Sequence, residues 1–154
     1  MMRHIIVFPV TLAFGLLMAP LAAEAQPAAT LREQLLGTWQ LVSHPYFTDA
    51  VGRLLYAADG QMCVTLMRPD RQKFSTASPF GGSTAEERAA AAAGYFNYCG
   101  SYHVNEEKGI VTERVELSLF PNWVGTEQMT FISVSGNQFT QRGGAHATVW
   151  ERLR

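Results

Sequence analysis

From Gly37 onward the chain alternates apolar and polar side chains in short runs, each closed by turn-forming residues. Thr38 to Ser43 reads TWQLVS, with the period of two that a half-buried strand requires. Apolar runs then flank Ala58-Asp59-Gly60, where Asp-Gly tolerates the positive φ of a tight turn, so Arg53 to Met67 predicts a hairpin. Cys99 to Phe120 predicts a second hairpin turning at Glu107-Lys108-Gly109, and Gly125 to Gln141 a third turning at Ser135-Gly136-Asn137. Ala147 to Leu153 closes the chain as a final strand. The period changes in two places. Ala28 to Leu36 predicts a brief helix with Leu31, Leu35 and Leu36 on one side. Ser83 to Gly94 predicts a clear one, with Ser83 as cap, Glu86 completing a capping box and Gly94 as the stop. The pattern as a whole predicts an all-β fold: an eight-stranded antiparallel up-and-down barrel with one helix between the third and fourth strands. A barrel of this size with many aromatic side chains inside commonly encloses a cavity.

The first 25 residues do not fit the barrel pattern. Arg3 precedes the apolar run Ile5 to Leu21, and Ala23-Glu24-Ala25 has the small-residue form of a cleavage site. Residues 1–25 are therefore expected to be a signal peptide and 26–154 the barrel domain. The apolar run is also long enough to be a membrane anchor, but Pro9, Pro20 and the cleavage site favour removal. The expected location is periplasmic or secreted, with no membrane span after signal removal. Charge adds one exclusion. Twelve basic and 13 acidic side chains give a net charge of −1, and without a concentrated basic face no nucleic-acid partner is expected. Cys63 and Cys99 are the two cysteines. In an oxidising compartment they are expected to bond across neighbouring antiparallel strands; two small buried hydrophobes that never meet are the alternative.

Gly37-Thr38-Trp39, opening the first strand after a short helix, is similar to the G-x-W signature of lipocalins. The stretches YAADGQMCVTLMRPDR, GYFNYCGSYHVNEEKGIVTERVELSLFPNWVGTEQ and TVWERL together resemble the lipocalin-like domain family of bacterial and fungal proteins, over roughly Leu36 to Leu153. The resemblance implies the barrel more than an activity, since members mostly lack one. It also implies that Trp39 plugs the closed end, with Arg152, or else Arg154, lying over its ring. Two departures stand out: the cysteines occupy positions where other small or medium residues are expected, and His44 to Asp49 is a short version of the first loop, often the lid of such a cavity.

Candidate chemistry follows from strand faces. Val111 to Ser118 places Val111, Glu113, Val115 and Leu117 on one face and Thr112, Arg114, Glu116 and Ser118 on the other. Either a carboxylate points inward or the polar face is solvated. Glu116 is taken as the candidate polar contact for a ligand. Pro121 and Asn122 end the strand, releasing Trp123 to turn over the barrel mouth, where it is either a ligand wall or a core plug. Tyr56, Tyr98 and Tyr102 supply rings that can pack on a ligand and still hydrogen-bond, or simply fill the core. Tyr102 and His103 should face opposite sides of their strand. Arg68, Arg71 and Lys73 surround a loop that either holds an anion or is a solvated turn. His44, His103 and His146 lack metal-ligand spacing, no metal or cofactor is expected, and Ser43 and Ser118 have no triad motif. The leading expectation is an exported barrel binding a small hydrophobic or amphipathic molecule. The alternatives are a cofactor-free isomerase or cyclase, with Glu116 or His103 transferring the proton, and a filled barrel acting as an interaction module.

Overall fold

A computed structural model describes residues 28–78 and 80–153. The expected signal peptide and Arg154 lie outside them. Eight strands follow one another around the molecule: β1 Gly37–Ser43, β2 Val51–Tyr56, β3 Gln61–Met67, β4 Tyr95–Asn105, β5 Ile110–Ser118, β6 Glu127–Ser135, β7 Gln138–Gly143 and β8 His146–Arg152. Each pairs antiparallel with the next, and β1 pairs with β8, so the sheet closes and no strand edge is left unpaired. The helix α1 Leu31–Leu35 precedes the barrel, and α2 Ala85–Ala93 lies between β3 and β4. Among the described residues no helix is long and apolar enough to cross a membrane.

Both helices start on capping boxes. In α1 the Thr30 hydroxyl accepts from the Glu33 N–H at 3.2 Å and the Glu33 carboxylate accepts from the Thr30 N–H at 2.8 Å. In α2 the cap is Thr84, paired with Glu87, one residue later than the Ser83–Glu86 pair read from the sequence. Two overlapping boxes were on offer, and neighbouring contacts decide between them. Ser75 donates its backbone N–H and its hydroxyl to the Glu87 carboxylate, while Arg88 binds the Ser83 carbonyl and hydroxyl.

The closed end is built around Trp39. It is wholly buried, packs on Phe139 with ring centroids 5.2 Å apart, and donates its indole N–H to the Leu35 carbonyl at 2.8 Å. The Arg152 guanidinium sits 4.1 Å from the centroid of the Trp39 ring and donates to the carbonyls of Leu36, at 2.6 Å, and of Gln34. One arginine thus supplies a cation–π contact and satisfies carbonyls at the C-terminus of α1 that the helix leaves open. At the other end of α1, the N–H groups of Leu31 and Arg32 donate to the Glu106 carboxylate in the β4–β5 turn, at 2.7 and 2.9 Å.

One irregularity redirects side chains. The β4–β5 register shifts between Cys99 and Gly100, so that Gly100 faces Val115 and Cys99 faces Leu117, and Glu116 is the extra residue of a bulge. A Cβ at residue 100 would lie 1.9 Å from the Arg114 carbonyl oxygen, so glycine is required for this approach. The alternation expected along β5 consequently breaks at Leu117, which is 68% exposed. Cys63 and Cys99, directly opposite in the β3–β4 register, form a disulfide.

Two outcomes are expected from these contacts. Replacing Cys63 and Cys99 together by serine removes a cross-link between positions 36 residues apart and should cost about 3–4 kcal/mol of unfolding free energy in the chain-entropy account. Urea denaturation of the variant against the oxidised protein reads this. Trp39→Ala should destabilise by about 3–5 kcal/mol by emptying the plug, seen as a lowered melting midpoint.

Candidate functional site

Inward positions of the strands fill the half of the barrel next to α1 and leave a cavity of about 630 Å³ in the other half. It lies toward the end carrying the β1–β2, β3–β4, β5–β6 and β7–β8 connections. Val64 and Leu66 of β3, Phe96 and Tyr98 of β4, and Met129 and Thr130 of β6 form much of its wall. Gln141 of β7 and Thr148 and Trp150 of β8 complete it. Among the described residues no lysine or arginine lines it.

The mouth is shaped by two short connections. After β1, His44, Pro45, Tyr46 and Phe47 fold over the opening. The His44 Nδ1 accepts the backbone N–H groups of Tyr46 and Phe47 at 3.2 and 3.1 Å, and burial lowers its pKa, which keeps the ring a neutral acceptor. The Tyr46 ring meets His146 of β8 with centroids 4.7 Å apart, so even this short loop is pinned across the rim. After β5, Pro121–Trp123 forms a 3-10 turn with proline at its start, where a missing N–H costs nothing. Trp123 is half-buried, lines the cavity, and stands edge-on to Phe96, Tyr98 and Phe120 at 5.5, 5.6 and 6.3 Å.

Below the apolar wall is a polar cluster. Glu113, one strand position before Arg114, is 1% exposed and receives the hydroxyl groups of Tyr56 and Tyr98, one on each carboxyl oxygen. The Gln141 amide adds a contact at 3.4 Å to the oxygen shared with Tyr56, and donates to the Tyr56 hydroxyl at 3.2 Å. Trp150 donates its indole N–H to the Gln141 carbonyl oxygen at 2.8 Å. An indole only donates, so this bond fixes which end of the Gln141 amide faces it. Burial raises the Glu113 pKa; the hydrogen bonds from Tyr56, Tyr98 and Gln141 favour the ionised form and offset this in part. Burial and the adjacent Glu113 hold both tyrosines well above the usual phenol range, so they stay protonated and remain donors.

The structure distributes the sequence-derived candidates unevenly. Tyr98 and Trp123 line the cavity, and Tyr56 lies beneath it in the Glu113 cluster. Tyr102 is packed in the closed half instead, 4.8 Å from the Tyr56 ring and under the Arg32 guanidinium, with its hydroxyl donating to the Ala57 carbonyl. Glu116 is on the outer surface, accepting from the Ser101 hydroxyl at 3.0 Å; strand alternation turns it to the face opposite Glu113 and Val115, which point inward. His103 is exposed on the outer face, opposite Tyr102. Arg71 and Arg68 lie over the rings of Tyr95 and Phe47. Among the described residues no group of three His, Cys, Asp or Glu is placed to hold a metal ion. The sequence reading passed over Gln141, Thr130 and Trp150, which carry no motif. Glu113 did carry a signal: it is the one ionisable residue on the apolar face of Val111 to Val115.

A family model described as a lipocalin-like domain matches residues 36–152, from the end of α1 to the end of β8. Comparison with curated proteins finds no match.

The raised pKa of Glu113 gives stability a sign with pH. The folded state holds this proton more tightly than the unfolded chain, so stability falls as pH rises from the ordinary carboxyl range, near 4.5, up to the folded-state value. The groups facing the carboxyl are Tyr56 of β2, Tyr98 of β4 and Gln141 of β7, and none carries positive charge. Glu113→Gln, which keeps the shape and cannot ionise, should remove that decline. Chemical denaturation from pH 4 to pH 9 compares the two slopes, and parallel slopes would count against the assignment.

Proposed function

The chain belongs to the lipocalin-like domain family, and from that premise we propose that it is an exported carrier of a small hydrophobic or amphipathic molecule held in the barrel cavity. The observation that supports this is the division of the interior: a packed closed half, and an open half of about 630 Å³ with aromatic walls and a polar floor. That volume falls within the usual range of small-molecule sites, about 300–1,000 Å³. Apolar ligand surface buried there contributes about 25 cal/mol per Å², less the ordering of ligand and rim. The Cys63–Cys99 disulfide supports export, since such bonds persist in oxidising compartments. Within the site, Trp123, Phe96 and Tyr98 form the aromatic wall against the apolar body, and Tyr98 and Gln141 meet its polar end. Tyr56 acts from beneath, through Glu113.

A second reading is favoured by one specific feature, the buried Glu113. A carboxyl with a raised pKa, linked to the cavity through the Tyr98 hydroxyl, is suited to proton transfer. A cofactor-free isomerase or cyclase would use Tyr98 as the group that meets the substrate and Glu113 as the positioning residue behind it. Mass spectrometry separates the two readings. Small molecules retained by purified protein, recovered unchanged after prolonged incubation, support carriage; their conversion, lost in Tyr98→Phe, supports catalysis.

Trp123→Ala should weaken binding of a neutral apolar probe at least tenfold, about 1.4 kcal/mol, while leaving the melting temperature near that of the parent. Calorimetry with parallel thermal melts measures both. Unchanged affinity in the folded variant would make Trp123 a plug under the β5–β6 connection and no part of the binding wall.

A further inference from the structure

The hydrogen-bond accounting at the cavity floor carries one step further and rests on the proposed binding function. Most donors at the floor are already engaged inward. The Tyr98 hydroxyl hydrogen goes to Glu113, one Gln141 amide hydrogen is shared between the neighbouring Tyr56 and Glu113 oxygens, and the Trp150 indole hydrogen goes to Gln141. The acceptors are not used up. Among the described residues nothing donates to the Tyr98 hydroxyl oxygen, and the Gln141 carbonyl oxygen receives only the Trp150 N–H, which leaves each a free lone pair. Thr130, on the wall contributed by β6, has a buried hydroxyl oxygen with no partner among the described residues, and a hydroxyl can accept as readily as it donates.

Charge points the same way. Among the described residues no lysine or arginine lines the cavity, while Glu113 lies one hydrogen bond beneath the floor. The histidines that line the cavity, His44 and His146, stand at its mouth, and His44 is held neutral as an acceptor. A ligand carboxylate driven to this floor would lose its hydration, find few free donors, and face a like charge when Glu113 is ionised. A donor group finds the reverse: unfilled acceptors, and a carboxylate whose burial a cation offsets.

We propose that the molecule bound in this cavity carries its polar end as a hydrogen-bond-donating cation, an ammonium on an apolar body, and that Tyr98, Gln141 and Glu113 select it against carboxylates of the same length. Tyr98 and Gln141 make the direct contacts, and Glu113 acts through Tyr98 as a positioning residue and as the source of the negative potential. The apolar wall sets how much of the body is buried; the floor sets which head group is accepted. Selectivity of this kind arises as much from what the site leaves unpaired with the wrong ligand as from what it gains with the right one.

The test uses decylamine, decanol and decanoate at pH 7.5, each competing with a neutral fluorescent probe for the oxidised protein. The amine is expected to bind at least tenfold more tightly than the carboxylate, with the alcohol between them. In Glu113→Gln that ratio should shrink below about threefold. If Glu113→Gln does not fold, Tyr98→Phe takes its place, since it deletes one floor acceptor, and it should narrow the ratio likewise. Decanoate binding as tightly as decylamine, or a ratio unchanged in the folded variant, overturns the proposal. Should the neutral probe bind with no preference among the three head groups, the amine inference fails and the cavity reading stands. If neither the probe nor any of the three binds, both fail together.

Discussion

The Arg152 guanidinium over the Trp39 ring is the contact on which the barrel's two halves depend. Arg152 is the last residue of β8 and Trp39 the third of β1, so their meeting joins the two ends of the sheet where it must close. The same side chain ties down the carbonyl end of α1 through Gln34 and Leu36. A helix of only five residues is too short to persist by itself in water. It persists here because Arg152 holds one end, Glu106 the other, and Leu35 is buried between them. With this end sealed, the remaining inward residues need only line the opposite half, and an open cavity can exist without water reaching the core from both ends.

Sealing one end also makes the burial of Glu113 tolerable. A carboxyl removed from water with no cation beside it is costly, and proteins meet that cost by hydrogen bonding or by holding the proton. The first device is visible here. Tyr56 and Tyr98 give one hydroxyl to each oxygen, Gln141 adds a third donor, and burial keeps the pKa raised. Replacement of such a cluster by apolar side chains of similar volume would often be neutral or stabilising. Its presence at the floor of the cavity, and not in the packed half, is therefore not explained by stability alone.

The sequence disclosed the fold more fully than the site, and the reason is one of range. Hairpins at Ala58-Asp59-Gly60 and Ser135-Gly136-Asn137 are specified by adjacent residues, and each was read correctly, as were the barrel, the position of α2 and the pairing of Cys63 with Cys99. The Trp39–Arg152 contact was legible through the family resemblance alone, because it links residues 113 positions apart (152 − 39) with no local signature. The site failed where a local rule met a non-local event. Alternation along β5 is sound from Val111 to Glu116, and itself turns Glu116 away from the side Glu113 faces; it breaks at Leu117, which a bulge allowed by Gly100 on the neighbouring strand turns outward. Gln141 and Trp150 come from strands far along the chain and meet Glu113 only once the barrel has closed. No spacing rule could have assembled them.

The disulfide shows how an element outside the cavity can govern the one inside. Consecutive strands in this barrel are joined by short connections, with one exception: β3 and β4 are separated by the loop from Arg68 to Thr84 and by α2. Closing that longer segment costs more entropy than closing a hairpin, so this seam is the one least secured by chain connectivity. Cys63 and Cys99 bond across it, directly opposite in register. Their neighbours Val64 and Tyr98 point the other way, into the cavity, because successive residues of a strand face opposite sides. The bond therefore holds from the outer face the two strands that carry the apolar wall and the tyrosine bordering the cavity. Tyr98 must keep its hydroxyl on Glu113 while its ring borders the cavity beside Trp123, two demands that small slippage of β4 would break. In an oxidising compartment the cross-link relieves the long connection of that task, which leaves α2, with no buried residue of its own, to serve chiefly as a spacer over the seam.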